Sequence, residues 1–439
     1  MMAKSELIYK AELIYKTGIE NVMPATLLKS KVFFDGSYLT IESKQFAIHE
    51  DSKIYVIGAG KAAAAMAKAV EEIIGDAIYK GIVIVKYGHA LPLKKIIVHE
   101  AAHPVPDSNG LTATNAVLEC INGVKENDII LFLLSGGASS LFIDIPEGAS
   151  LKSVIELYND LLKSGASIHE FNTVRKHLSK IKGGGLLKYA WPATVISLII
   201  SDVPNDDLST IGSGPTIPNV VTVEEARKVL VKYGLWDSLA PTLKSFIQKG
   251  LSELQSGRFL LSDTRSDKAY SFLLANNKLA LTAASVKASF LGYDVFIYPE
   301  VLEGEAVTMA NVIIDFVCLN KKTVKTCFLF GAEATVKVDG NGKGGRCQEM
   351  VLAAFKRLKM TSIELVFFAA GTDGQDGPTE VAGAVIDRGS ISKAKAMNLN
   401  ETDYLLNHDS YNFFKQIGGH VITGPTYTNV MDMVVVLKE

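Results

Sequence analysis

Five apolar runs, each closed by a cluster of glycine, serine or aspartate, constrain this chain most. They are IYVIGAGKAA (Ile54–Ala63), IILFLLSGGASS (Ile129–Ser140), VISLIISDVPNDD (Val195–Asp207), TCFLFGAEAT (Thr326–Thr335) and ELVFFAAGTDGQDG (Glu364–Gly377). Runs this short and apolar read as buried strands, and helical patterns alternate with them, so parallel βαβ units are expected. Ligands of open α/β sheets bind where such strands end. Glycine there lets backbone approach a ligand, and successive N–H groups can cradle an anion. A small anionic or phosphorylated substrate follows as the first expectation.

The chain has 439 residues, too long for one ordinary core, and two domains are expected with a boundary between 240 and 241. A formal net charge of −2 without a long basic run argues against nucleic acid and against an anionic membrane surface. No apolar run approaches the roughly 20 residues of a membrane span. The four cysteines lack CxxC spacing, which disfavours a zinc site or disulfide framework and makes the cytoplasm the expected compartment. The doubled ELIYK near the start reads as one amphipathic helix. The segment Thr222–Arg265 reads as helices at or near a domain junction. Val434–Leu437 reads as a short β-like run.

Gly58-Ala59-Gly60-Lys61-Ala62-Ala63 fits the loose dinucleotide fingerprint, with Lys61 expected in the first turn of a helix spanning Lys61–Ile74. A cation opposes the macrodipole there unless an anion faces it. NAD is disfavoured, because the next strand ends in Lys86 where the ribose would need an acid. Ser135-Gly136-Gly137-Ala138-Ser139-Ser140 is a second phosphate-type loop without Walker A spacing. A helix expected over Ile168–Ile181 puts Arg175, Ser179 and Lys182 on one basic face. Asp202, after a buried strand, suits magnesium or base chemistry, with Asp206 and Asp207 weaker candidates. Gly344-Gly345-Arg346 sets a guanidinium at a helix start, suited to a carboxylate or phosphate. Asp373 and Asp376 stand in a glycine frame that fits magnesium with phosphate better than a calcium loop. Each motif also admits a plain turn or a solvated face.

Taken in order, GAGKAA, HPVPD, LLSGGASSL, NTVRKHLSKIKGG, SDVPNDDLSTIGSGPT, the glycine-rich stretch Gly340–Glu349, GTDGQDGPTEVAGA and NHDSYNFF with TGPTYTNVMD resemble the class II glycerate 2-kinase family, whose C-terminal half is the MOFRL domain. Ala138, Ala332 and Cys347 depart from the residues common in that family without removing a charge. The resemblance implies an α/β fold with a larger N-terminal Rossmann-like parallel-sheet sandwich over 1–240. It also implies a smaller α/β domain over 241–439 and an active site in the cleft. It implies ATP-dependent phosphorylation of D-glycerate to 2-phosphoglycerate with Mg2+.

Lys61 and Arg346 match the family's basic pair, and Asp202 joins them as a catalytic candidate. Gly58, Gly60, Ser135, Gly136, Gly137, Ala138, Ser139, Lys182, Gly344 and Gly345 are the expected nucleotide-binding positions, and Asp202, Asp373 and Asp376 the expected metal ligands. The expected partners are D-glycerate and ATP, with a homodimer left open. An NAD(P)-dependent hydroxypyruvate reductase and a non-catalytic sugar-acid sensor are the rival readings.

Overall fold

The structure is a computed structural model that describes residues 5–218, 222–255, 265–320 and 324–439. The chain forms two compact units, one spanning Leu28–Leu274 and the other joining Met1–Leu27 to Ala275–Glu439.

The unit Leu28–Leu274 is built on a six-stranded sheet. Its spatial order is Ile96–Ala101, Ile78–Lys86, Ile54–Ala59, Ile129–Leu134, Thr194–Ile200, Ala269–Ala275. Counted along the chain, that is 3-2-1-4-5-6, the doubly wound Rossmann order. The first five strands pair in parallel. Ile54–Ala59 and Ile129–Leu134 are buried at every residue, as a parallel sheet covered on both faces requires. A small antiparallel meander, Val32–Phe34, Tyr38–Ile41 and Lys44–Ala47, precedes it.

The same unit holds a helical cluster: Leu151–Lys163, Ile168–His177, Val223–Lys232 and Pro241–Gln255 bury Val154, Leu161, Val174, Leu230, Leu243 and Ile247 together. That packing, with the sixth strand Ala269–Ala275, puts the division at Leu274/Ala275 rather than at the expected 240/241, and Met1–Leu27, expected in the first domain, belongs to the other unit. Cutting at 240 would strip Leu243 and Ile247 from the core they complete. The helical reading of the segment after Thr222 agrees with the structure for its described residues. The helix expected over Ile168–Ile181 stops at His177, and Ser179 and Lys182 follow it in a turn.

In the other unit the sheet order is Asp294–Glu305, Thr326–Thr335, Asp432–Lys438, Leu365–Gly371, Gly383–Ile386, His420–Val421. Only the first pair is parallel. Asp432–Lys438 inserts antiparallel to both neighbours. The Leu365–Gly371 run, expected as a parallel strand, therefore pairs antiparallel on both sides. Val434–Leu437, expected as a short β-like run, belongs to a central, almost wholly buried strand.

The doubled ELIYK lies in one helix, Glu6–Val22, capped by Ser5 and burying Ile14, Tyr15 and Val22. Close contact of Gly18 with Met433 and the Ala280 carbonyl docks it onto this unit. Among the described residues no helix is long and apolar enough to cross a membrane.

Candidate active site

In the doubly wound sheet, strand order reverses between Ile54–Ala59 and Ile129–Leu134, and the loops following these two strands meet there. Gly60 has φ +134°, and a Cβ on it would overlap both Oγ and the carbonyl oxygen of Ser135, so only glycine permits the approach. Main-chain bonds lace the loops together: Ser135 N–H donates to Ala59 O (3.2 Å) and Lys61 N–H to Gly136 O (2.8 Å). The Ala62 N–H donates to Ser135 Oγ (3.0 Å). A Cβ on Gly137 would lie 2.9 Å from His103 Cδ2 and 3.5 Å from Lys61 Cγ, which places His103 of the HPVPD motif beside Lys61. Gly58, Gly60, Ser135, Gly136, Gly137, Ala138 and Ser139 are thus one assembly.

Lys61 itself is displaced from its expected position. The helix runs over Ala63–Ile74 with Ala62 as its cap, so Lys61 precedes the first turn rather than forming it.

Lys182 also departs from expectation. Only 3% of it is exposed, and its Nζ donates to Ser139 O (3.0 Å) and Phe142 O (2.8 Å). Burial, reinforced by nearby Arg175, pushes its pKa down to about 7. The ammonium braces the serine–glycine loop from beneath, where it meets protein carbonyls. Arg175 lies over the Phe171 ring at 4.2 Å rather than sharing a face with Lys182. From the SDVPNDDLSTIGSGPT motif, Ser213 adds a second brace: its Oγ is 3.0 Å from Ser139 Oγ and donates to Asn172 Oδ1 (3.1 Å). Asp202 is partly exposed just beyond Thr194–Ile200, at the same sheet edge. Asp207 accepts from Ser209 N–H (2.9 Å) and Thr210 Oγ1 (2.8 Å) as a turn-former.

The unit containing Ala275–Glu439 gathers charge differently. Arg346 begins the helix Arg346–Leu358 and forks onto Asp432, Nε to Oδ2 at 2.7 Å and Nη2 to Oδ1 at 2.6 Å. That carboxylate holds the guanidinium pKa well above its ordinary value. Nη1 stands 3.8 Å from Asp376. Asp376 is fully buried and caps the helix, accepting from Cys347 N–H (3.0 Å), Gln348 N–H (2.8 Å) and Gln348 Nε2 (3.0 Å). Burial raises its pKa to about 6, against the pull of Arg346 and the helix N–H groups. A Cβ on Gly345 would overlap the Asp376 carboxylate, and one on Gly344 would overlap Ser410 Oγ. Asp373 Oδ1 accepts from Gln375 N–H (3.1 Å) and borders Arg346 at Gly371. The Gly371 carbonyl accepts from Tyr15 Oη at 2.8 Å.

Asp432 is the residue that motif reading missed. It closes the TGPTYTNVMD motif, and nothing local in that motif ties its aspartate to Arg346. Among the described residues, no group of three or more His, Cys, Asp or Glu is arranged to hold a metal. Mg2+ bound with a nucleotide needs only one or two carboxylates besides phosphate and water. Asp202 in one unit and Asp373 in the other are each a carboxylate of the kind such a site uses, whereas both oxygens of Asp376 already cap a helix.

A doubly wound α/β unit with a glycine–lysine loop at its switch point, followed by a mixed α/β unit, is the class these observations define. The family model described as a domain of unknown function, DUF4147, matches residues 10–248, and the MOFRL family model matches residues 326–432. A glycerate 2-kinase from Pyrococcus horikoshii is 38% identical over 91% of this chain and 90% of its own length. A crystal structure of glycerate kinase from Thermotoga maritima superposes with a TM-score of 0.82 at 38% identity, covering 98% of this chain and 99% of its own. A relative from Agrobacterium vitis, 37% identical over 87% of this chain and 86% of its own length, carries the name putative hydroxypyruvate reductase. This chain belongs to the class II glycerate 2-kinase family, the MOFRL-type glycerate kinases.

Proposed function

We propose that this chain transfers the terminal phosphoryl group of ATP to the 2-hydroxyl of D-glycerate, giving 2-phosphoglycerate and ADP. The observation that carries the reading is the switch-point assembly, in which Lys61 is held by a main-chain bond to the serine–glycine loop. Phosphoryl transfer needs mainly positioning and charge neutralisation. Lys61 would neutralise the moving group, and the loop Ser135–Ser139 would hold the phosphates. With two of its nitrogens committed to Asp432, Arg346 would offer Nη1 and its charge to the glycerate carboxylate. Gly344 and Gly345 would set the backbone at that approach.

Asp202 and Asp373 would be the carboxylates that hold Mg2+ or orient the 2-hydroxyl. Mg2+, when bound, would offset the charge of the phosphate oxygens. The reading places the reaction in the cytoplasm, which supplies ATP.

Against the reductase reading stands Lys86, at the end of Ile78–Lys86 and in register with Ala101, where a dinucleotide ribose calls for an acid. Purified protein is expected to form ADP only when D-glycerate and magnesium are both present, with 31P NMR showing phosphate on the 2-position. Oxidation of NADH by hydroxypyruvate without ADP formation would overturn the reading.

A further inference from the structure

The NHDSYNFF motif has no part in the chemistry above, yet it is stitched to the glycine loop that leads into Arg346. Gly342 N–H donates to Asn407 O (2.8 Å), Asn341 N–H to Asn407 Oδ1 (3.1 Å) and Lys343 N–H to Asp409 Oδ1 (2.9 Å). Tyr411 N–H donates to Lys343 O (2.9 Å). Glycines are required on the loop side, since a Cβ on Gly342 would overlap the Asn407 carbonyl.

His408 sits at the centre of this seam. Its Nδ1 lies 2.9 Å from Glu349 Oε2 and its Nε2 lies 2.9 Å from Asp339 Oδ1. Asp339 opens the glycine loop, and Glu349 lies in the first turn of the helix that begins with Arg346. One imidazole therefore joins both ends of the loop. Ionised carboxylates only accept hydrogen bonds, so a ring between two of them must donate from both nitrogens and carry a positive charge. The backbone at His408 is left-handed, with φ +52°. Glycine or asparagine serves that conformation better, so the side chain is what the position uses.

We infer that His408 is a positioning residue for Arg346: as an imidazolium it staples the loop Asp339–Gly345 to the start of the arginine helix. The inference rests on the kinase reading for its catalytic consequence, though not for the staple itself.

Its hydrogen bonds to Glu349 and Asp339 raise the His408 pKa. Burial pushes the Glu349 carboxyl up, with Glu305 and Asp339 adding to this and His408 opposing it. The other charges at the seam are Asp409, which accepts from the loop, and Lys343, which pairs with Glu380 at 3.2 Å and lies over the Tyr411 ring. A group whose folded pKa is raised contributes fully below its unfolded value, near 6.5, and loses that contribution as pH climbs through the folded value. The staple therefore opens on the alkaline side.

The test compares wild type with His408→Gln and Asp339→Asn by hydrogen exchange of residues 340–345 without substrate, and by kcat/KM for D-glycerate from pH 6 to 9. Faster loop exchange in His408→Gln at pH 6 is expected. Its kcat/KM should be on the order of tenfold lower at that pH, the scale of one lost charge-assisted hydrogen bond, and the gap should close by pH 9. Asp339→Asn alters an exposed carboxylate and is expected to keep the fold. It should move the wild-type alkaline limb to lower pH, with an unchanged melting temperature at pH 9, where the staple is open in both proteins. Wild-type exchange and pH profile in both variants would overturn the staple, and if His408→Gln fails to fold, Asp339→Asn decides alone. A wild-type protein that makes no ADP would overturn the kinase reading and leave the exchange result to judge the staple.

Discussion

The two loop systems use charge in opposite ways. At the switch point near Lys61, the groups that hold the loops together are mostly main chain: Ala59, Lys61, Ala62 and Gly136 bond across the reversal, with the Ser135 hydroxyl between them. Around Arg346, charged side chains hold one another, with Asp432 forked onto the guanidinium and Asp376 on the helix N-terminus. A loop organised by backbone keeps its shape whichever side chain projects from it. A cluster organised by buried ion pairs fails when one partner is lost, because the remaining charge is left without compensation. Lys61 is thus expected to be dispensable for folding and needed for catalysis, while the Arg346 cluster serves both.

The largest effect should come from Asp432→Ala. Removing one partner of a buried pair typically costs about 3–5 kcal/mol, and the low end applies because the Arg346 side chain is 26% exposed. Urea denaturation should show stability falling by on the order of 3 kcal/mol. A variant as stable as wild type would show that the cluster is not structural and would break the contrast.

Lys61→Ala comes next and should invert that outcome. Because Lys61 precedes the helix Ala63–Ile74, alanine gains no helix propensity there, and the melting temperature should stay within a degree or so. On the same preparation, kcat should fall on the order of a hundredfold or more, the scale for one transition-state contact. Early melting with most of kcat retained would mean that Lys61 is structural and that the site lies elsewhere.

The effect that is smallest over any one pH unit sharpens the comparison within the switch-point loops. Lys182 braces the serine–glycine loop with a pKa near 7, well below its ordinary 10.5. Between those values the unfolded chain binds more protons than the folded one, so stability should rise with pH through that window. Replacing it, Lys182→Met should remove this slope, at most about 1.4 kcal/mol per pH unit. Parallel stability curves for the two proteins from pH 7 to 9.5 would place a water-exposed ammonium at Lys182.

Much of the fold was legible because the signals are local. The run Ile129–Leu134 is a strand to the residue, and the glycine clusters after it and after Ile54–Ala59 mark the switch point, since buried parallel strands are apolar throughout and their ends must turn sharply. The site was legible in part. Lys61 and Arg346 stand out as cations at glycine-rich turns. Lys182 read as a nucleotide-binding cation on a helical face because periodicity carried the helix past its actual end at His177, and only packing shows its Nζ turned onto the Ser139 and Phe142 carbonyls.

By itself the sequence determined the alternation of strands and helices, the glycine positions where two loops can touch, and the family to which those motifs belong. Such features depend on backbone conformation and on side-chain period within a few residues. The tertiary structure decided which charge meets which. Asp432 reaches Arg346 across 86 positions because Asp432–Lys438 threads antiparallel through the middle of its sheet. Pairing between distant segments is fixed by strand order and register, and a buried charge must find its partner there or remain costly.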